Sequence, residues 1–470
     1  MSGLFASLNS SVNALSAQSR AVEITGKNLA NVNNAKYARQ QVVFGDRGTV
    51  QTALGPESMG LTALGVEQIR DSLLDQQVMR EVALSAGYQT EQQAYQRAQA
   101  GLGQSIDSSS AAGSASSTTS NGIGAALDDF FNSFQSFAAN PTDIGQRQTL
   151  VQSASILTDR LRLTDTRLAQ VQSDLTSQVG TDVATTNQLL QTIADLNGQI
   201  GRFEITQPGS AVDLRDQRQA ALEQLAAKLP IEIRNANAAQ IQVVAKDGTG
   251  TDVVLVNLAT VQGTVAASGT QITAGSPATV LDLPSGSIQG AMNARDGGIQ
   301  TLRDHLDALA SQLVTSVNAA YNPSGTTGDF FDPAGPTAGT IALAGTVTAS
   351  NLKASDGGTA GDNTVALAIA QLASTQFSLA GGDAFDGTFS GFFATTVSDL
   401  GQSLAGANSR VDDQSHIEEI VRTQRDGISG VSLDEEMANL MKYQRAFQAS
   451  SRVFTTVDNL LDTVINGLGH

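Results

Sequence analysis

Toward the end of the chain, apolar residues recur every seven positions: Leu433, Leu440, Phe447, Phe454, Leu461 and Leu468. Met437, Val457, Val464 and Ile465 stand three or four places from that line. This is the spacing of a long helix with a coiled-coil seam. The opening stretch repeats it, with Leu8, Leu15, Val22 and Leu29 on one line and Leu4 and Val12 beside it. An amphipathic helix packed on its own domain gives a similar stripe, because periods of about 3.5 and 3.6 separate slowly over a few turns. Neither stripe has a partner in its neighbouring sequence. Each such side chain contributes roughly 1.5–3 kcal/mol when fully buried. The two stripes are therefore expected to bury against each other or against neighbouring molecules.

Between these ends the pattern predicts a mainly helical chain. A first helix over 4–31 ends in an Asn-rich stretch, since Asn tolerates turn conformations well. Short β-type runs follow at 41–44 and 61–69, with Gly45, Gly48, Gly55 and Pro56 marking turns. Helical patterning covers 70–102, and a Ser/Thr/Gly/Ala linker, expected to be mobile, covers 107–121. Ile123, Leu127, Phe130, Phe131, Phe134 and Phe137 form a stripe that Asn140 and Pro141 end. A very long helical segment occupies 143–200, with a kink or break expected at Gly180, and another helix covers 213–229 before Pro230. From Ile231 the period becomes two, with Asp247-Gly248 as a hairpin signal, and β character lasts to about 288. Helices return through Ile299, Leu302, Leu306, Leu309, Leu313 and Val317, then over 364–373 and 389–411, and finally from Leu433.

The fold class expected is mainly α with an inserted small β domain. The N- and C-terminal helices form a terminal coiled coil, followed by a long helical bundle and a β-rich outer domain. The expected division is 1–69 with 427–470 as the coiled coil and adjoining β segment, 70–230 with 289–426 as the helical rod, and 231–288 as the insertion. The insertion is expected to carry little that the helical parts need.

Composition narrows the function classes. The chain of 470 residues is 40% apolar and 15% charged, with a formal net charge of −18, so it is globular rather than disordered. That charge argues against nucleic acid and against anionic lipid surfaces. There is no Cys, which removes disulfides, thiol catalysis and Cys-ligated metals. No run of 18 apolar residues exists and the N-terminus lacks a basic region with an apolar core, so neither membrane insertion nor a cleaved leader is expected.

Candidate chemistry is thin. His305, His416 and His470 form no i,i+4 pair and no metal-ligand spacing. Gly122-Ile123-Gly124 lacks the third glycine and the preceding strand of a dinucleotide fingerprint. The glycine-rich stretch 357–362 is a single fragment of a calcium-binding repeat, which needs stacked copies. Asp128 and Asp129 suit the solvated side of an early helical turn. No catalytic constellation stands out, and no enzyme activity, cofactor or metal is expected.

Two motifs carry a resemblance. NLANVNNAKYARQ, at 28–40, resembles the motif after the first helix of flagellar rod, hook and hook-associated proteins through Asn28, Ala30, Asn31 and Tyr37. Arg39 and Gln40 after the Tyr are similar to the version typical of the first hook-associated protein (FlgK) family. SGVSLDEEMANLMKYQRAFQASSRVFTTVDNLLDTVINGL, at 429–468, resembles that family's C-terminus, and its opening separates it from hook and rod proteins. GAALDDFFNSFQSFAANPTD, DLRDQRQAALEQLA and GSIQGAMNARDG agree. Lys36 stands where the family usually has Gly, which moves the expected left-handed turn position to Asn34.

The resemblance implies a structural protein of the hook-filament junction, outside the cell, exported unfolded by the flagellar type III apparatus. It implies as partners the hook protein, the second hook-filament junction protein, further copies of itself in a ring or tube, and an export chaperone at the C-terminal helix. Leu8, Leu15, Val22, Leu29 and the Leu433 line would form the assembly seam, and Asn28, Asn31, Tyr37, Arg39 and Gln40 the turn motif. A hook or rod axial protein, and more distantly a secreted adhesin or effector, are the other classes considered.

Overall fold

Helix-forming patterns dominate the chain, and the computed structural model follows them; it describes residues 2–46, 48–52, 55–58, 60–103, 122–237, 239–325, 328–357 and 361–467. The linker expected over 107–121, Leu468, His470 and part of the glycine-rich stretch 357–362 lie outside the described residues. In chain order the elements are α1 (Ser2–Ala30), β1 (Gln40–Asp46), β2 (Thr49–Thr52), β3 (Gly55–Ser58), β4 (Leu61–Gln68), α2 (Ser72–Leu102), α3 (Ile123–Ala139), α4 (Ile144–Phe203) and α5 (Val212–Ala226). Next come β5 (Glu232–Asn235), β6 (Ile241–Lys246), β7 (Asp252–Asn257), β8 (Thr260–Val261), β9 (Ala266–Ser268), β10 (Gln271–Ala274) and β11 (Thr279–Val280). Then follow α6 (Ser287–Asn293), α7 (Ile299–Tyr321), α8 (Thr364–Gln371), α9 (Phe389–Ser429) and α10 (Leu433–Gly467). The fold is mainly α with small antiparallel sheets.

Two helices run further than the apolar stripe suggests. α4 continues unbroken through Gly180 for 60 residues. α9 reaches Ser429 instead of stopping near 411. Its polar second half is held by charge rather than by an apolar stripe: Arg422 pairs with Glu418 one turn earlier at 2.8 Å, and Arg425 pairs with Glu223 of α5 at 2.8 Å.

The chain forms two compact units. The first comprises Met1–Ser85, Asp182–Gly286 and Gln414–His470. The second comprises Ala86–Thr181 and Ser287–Asp413. Residues 70–85, 182–230 and 414–426, grouped with the rod on sequence, fall in the first unit. The heptad line of Leu161, Leu168, Leu175, Leu189 and Leu196 is interrupted at Asp182, where the division falls, although the helix itself continues.

In the first unit α1 packs along α10 and also against the β1–β4 hairpin. The hairpin is antiparallel, with Gln40 opposite Gln68 and a bulge between Val43 and Phe44. Ala21, Ile24, Val42, Val66 and Val212 make a small buried core, with Phe44, Ala63 and Tyr443 packed on it. Strands β5-β6-β7-β8 form one antiparallel sheet and β11-β10-β9 another.

That β-rich stretch is stitched to the helices. Asn197 of α4 donates to the carbonyls of Ile241 at 2.9 Å and Leu258 at 2.7 Å. Asn187 and Val265 exchange two hydrogen bonds of 2.8 Å. Arg218 of α5 donates to Asn197 Oδ1 and to the Ala239 carbonyl. Burial, with Arg215 nearby, pulls the Arg218 guanidinium down to about 10. The helices therefore depend on this stretch more than the pattern suggests, because removing it strands buried amide and guanidinium donors.

In the second unit Phe130, Phe134, Phe330, Phe331, Phe385 and Phe389 are fully buried. The rings meet edge to face, Phe130 with Phe134 at 5.1 Å and Phe330 with Phe331 at 4.9 Å. Asn318 of α7 pins the loop carrying two of them, accepting the N–H groups of Phe330 and Phe331 and donating to the Phe331 carbonyl. Gly290 of α6 passes so close to Gly87 of α2 that a Cβ there would stand 2.2 Å from the Gly87 carbonyl oxygen.

Candidate functional site

The residues that end α1 also hold the start of α10. Asn31 closes the first helix by donating its side-chain amide to the Lys27 carbonyl at 2.9 Å. Asn34 then bends the chain by accepting the Lys36 N–H on its side chain at 3.2 Å. The left-handed backbone expected at Asn34 is absent: Leu258 is the non-glycine residue with positive φ among the described residues. The Asx-type bond makes the turn without it.

Asn28, in the last turn of α1, is the hub. Its Oδ1 accepts the Tyr37 hydroxyl at 2.8 Å and the Gln40 N–H at 3.0 Å. Its Nδ2 donates to the Gln40 carbonyl at 2.8 Å and to Glu436 Oε2 of α10 at 2.9 Å. Arg39 reaches the same helix, with Nε 2.8 Å from Glu436 Oε1 and NH1 2.7 Å from Glu435 Oε2. The Arg39 N–H also donates to the Ser429 carbonyl at the end of α9. Gln40 continues the network to Asp213 of α5 at 3.1 Å.

The joint between α9 and α10 is shaped for this contact. Gly430 follows α9 so closely that a Cβ would meet the Asp426 carbonyl oxygen at 2.3 Å. Asp434, Glu435 and Glu436 fill the first turn of α10, where the helix dipole favours negative charge. A second layer lies behind: Arg70 joins Asp75 at 3.3 Å and Asp216 at 2.6 Å. Burial raises both carboxyls and Arg70 opposes that shift. Burial, then Asp216, Asp213 and Glu436, pushes the Tyr37 phenol well above its ordinary range, so it stays a hydroxyl donor.

Asn28, Tyr37, Arg39 and Gln40 are thus brought together, while Asn31 stands aside in the helix end. Leu8, Leu15, Val22 and Leu29 are each half-buried. The fully buried line beside them is Ala17, Ala21, Ile24 and Asn28. On α10, Leu461 is buried and Leu440 and Phe454 are half-buried, whereas Leu433 and Phe447 are exposed.

Glu435, Glu436 and Asp213 stand within motifs quoted from the sequence, but none was assigned a role there. A signal existed for one of them: Glu436 stands seven places before Tyr443, on the line that continues through Ser450, Val457 and Val464. The arrangement is a clamp of paired charges and satisfied amides. Among the described residues no group of three or more His, Asp or Glu could hold a metal ion, and no helix is long and apolar enough to cross a membrane.

Comparisons with known proteins agree along the chain. A family model described as the flagellar hook-associated protein FlgK helical domain matches residues 110–331. A second, described as the flagellar basal body rod FlgEFG protein C-terminal, matches residues 425–467. The flagellar hook-associated protein 1 of Bacillus subtilis is 27% identical, covering 100% of this chain and 99% of that protein. Those of Escherichia coli and Salmonella typhimurium are 23% and 24% identical, each covering 98% of this chain and 99% of the relative. A solved structure of the flagellar hook junction protein FlgK from Burkholderia pseudomallei aligns with a TM-score of 0.46 at 22% identity, over 55% of this chain and 46% of that one.

Proposed function

We propose, for a chain that belongs to the flagellar hook-associated protein 1 (FlgK) family, a structural role at the junction between the flagellar hook and the filament. The observation that carries this reading is the open side of α10. Leu433, Met437, Met441 and Phe447 lie in solvent along a helix whose other side is engaged by α1. A line of apolar side chains left uncovered along a helix marks an interaction surface. In an assembled ring or tube, further copies of the chain supply the missing cover. The turn of Tyr37 and Arg39 supports the same role by fixing how the paired helices leave the rest of the first unit.

The partners in this reading are the hook protein on one side, the second hook-filament junction protein on the other, and copies of the chain itself. Before export, a chaperone covers the C-terminal helix. The protein acts outside the cell, at the flagellum, after passage through the flagellar export apparatus. No cofactor or chemical step enters.

A second reading, a hook or rod axial protein, is favoured by the rod-type match over residues 425–467. That match covers the end of α9 and the last helix, whereas the hook-associated helical domain covers residues 110–331. Purified, gold-labelled protein incubated with isolated hooks separates the two in the electron microscope. Label confined to the distal hook tip is expected. Label along the hook shaft or on the rod supports the second reading, and absence of binding overturns both.

A further inference from the structure

In the first unit, the loop after α4 is tied down by a buried carboxylate and leaves its apolar side chains in water. α4 ends at Phe203, and Phe203 and Ile205 are 70% and 77% exposed. Glu204 between them is 4% exposed. Its Oε1 accepts the Ala211 N–H at 3.1 Å and Arg215 Nε at 2.8 Å, and its Oε2 accepts Arg215 NH2 at 2.6 Å. These bonds fix the loop on the start of α5, so its shape is set before any partner arrives. Phe203 and Ile205 gain little from burial within the chain. Arg202 beside them is exposed and has no carboxylate partner among the described residues.

The uncovered line at the start of α10 complements this loop. Leu433, Met437 and Met441 are 47%, 48% and 54% exposed and share one flank of the helix. Asp434 stands seven places before Met441 on that flank, exposed and without a cation partner among the described residues. Each surface therefore sets apolar side chains beside one unanswered charge, and the two charges are opposite. Methionines adapt to the shape they meet. Both surfaces also spring from the same small core: Val212, next to the Ala211 that Glu204 holds, packs with Ala21 and Ile24, and Tyr443 of α10 packs on them.

We propose that Arg202, Phe203 and Ile205 of one copy cover the line of Leu433, Met437 and Met441 on the next, with Arg202 against Asp434. The contact joins two different surfaces. It is therefore head-to-tail, and its repetition builds a ring or a helix of copies rather than a closed pair. It rests on the assembly reading above and names the surface that covers α10 in it.

The chain has no cysteine, so single thiols can be placed in the full-length protein. Phe203→Cys and Met437→Cys are made in separate chains, mixed, and bound to isolated hooks. A bismaleimide longer than one helical turn of about 5.4 Å reaches whichever of the three α10 residues Phe203 meets. Tip-bound protein in the mixture is expected to give a crosslinked dimer, while each variant alone stays monomeric. With both substitutions in one chain, crosslinking should extend beyond the dimer. Arg202→Glu in the Phe203→Cys chain should cut the yield roughly tenfold, and Asp434→Arg in the Met437→Cys chain should restore it. Label at the hook tip without a crosslink between positions 203 and 437 overturns the proposal and leaves the junction role standing. Dimers of either variant alone, or a crosslink closed within the doubly substituted monomer, overturn it as well. Absence of the parent protein from the tip overturns both.

Discussion

Phe130, Phe134, Phe330, Phe331, Phe385 and Phe389 of the second unit are each less than 2% exposed. Along α10 in the first unit, Phe447 is 40% exposed and Leu460 is 49% exposed. The same side-chain chemistry is spent inward in one place and held open in the other. The aromatic cluster gains its full transfer free energy within the chain, plus roughly 0.5–1.5 kcal/mol for each well-placed ring pair. The helix pair gains only part of that, and polar groups set its geometry instead. A closed core tolerates no missing partner; an open seam presupposes one.

The largest expected effect belongs to the closed side. Phe130→Ala should cost about 3–5 kcal/mol, read as a lower urea midpoint, because it leaves a cavity in a close-packed cluster. A loss no greater than for a surface substitution would erase the contrast between the two regions. Next comes the polar clamp. Asn28→Ala strands the Gln40 N–H and Glu436, and should cost about 1–3 kcal/mol, seen as earlier proteolysis of α1 and α10 at unchanged order in the second unit.

A smaller effect is expected with pH. Burial pushes the Glu204 carboxyl up, but Arg215 and the N–H groups of Gly209 and Ala211 outweigh it and hold it below the usual range. Its contribution is therefore present above the ordinary carboxyl value and is lost as pH falls through the lowered one. Asp75 and Asp216, which burial raises, run the other way: the folded chain holds their protons more tightly, and they weaken it as pH rises through their raised values. The protection factor of the Ala211 amide, its exchange corrected for the intrinsic pH dependence, should fall in acid in the parent and stay level with pH in Glu204→Gln. The smallest effect on folding is expected for Phe447→Asp, within about 0.5 kcal/mol on the monomer, yet it should abolish hook-tip binding. A large loss of monomer stability would show that the seam is closed already.

Element existence was readable where apolar spacing is regular: α1, α4 and α7 lie within a few residues of the stripes that predicted them. The end of α9 was not, because its last turns are held by Arg422 and Arg425 rather than by apolar residues. On α1 the leucine line proved to flank a tighter line of Ala17, Ala21, Ile24 and Asn28. Small and polar residues score poorly in any reading of hydrophobicity, although small ones let two helices approach closely. The turn motif was legible as a set of residues but not as a clamp. Glu436 lies about 400 positions along the chain from its receptors, and a carboxylate in an amphipathic helix reads as solvated until its partners are placed.

Asn28 meets Glu436, and Tyr443 packs on the core of Ala21 and Ile24. α1 and α10 therefore run antiparallel, joined to the rest of the unit at one end and leaving exposed Phe5 and Ile465 toward the other. Such a pair closes like a zipper with its slider parked at the clamp. Contacts near the tethered end shut the smallest loops and form first; each further turn closes only on those already shut. Opening runs in reverse, so a neighbouring molecule that grips the loose end need not compete with the clamp.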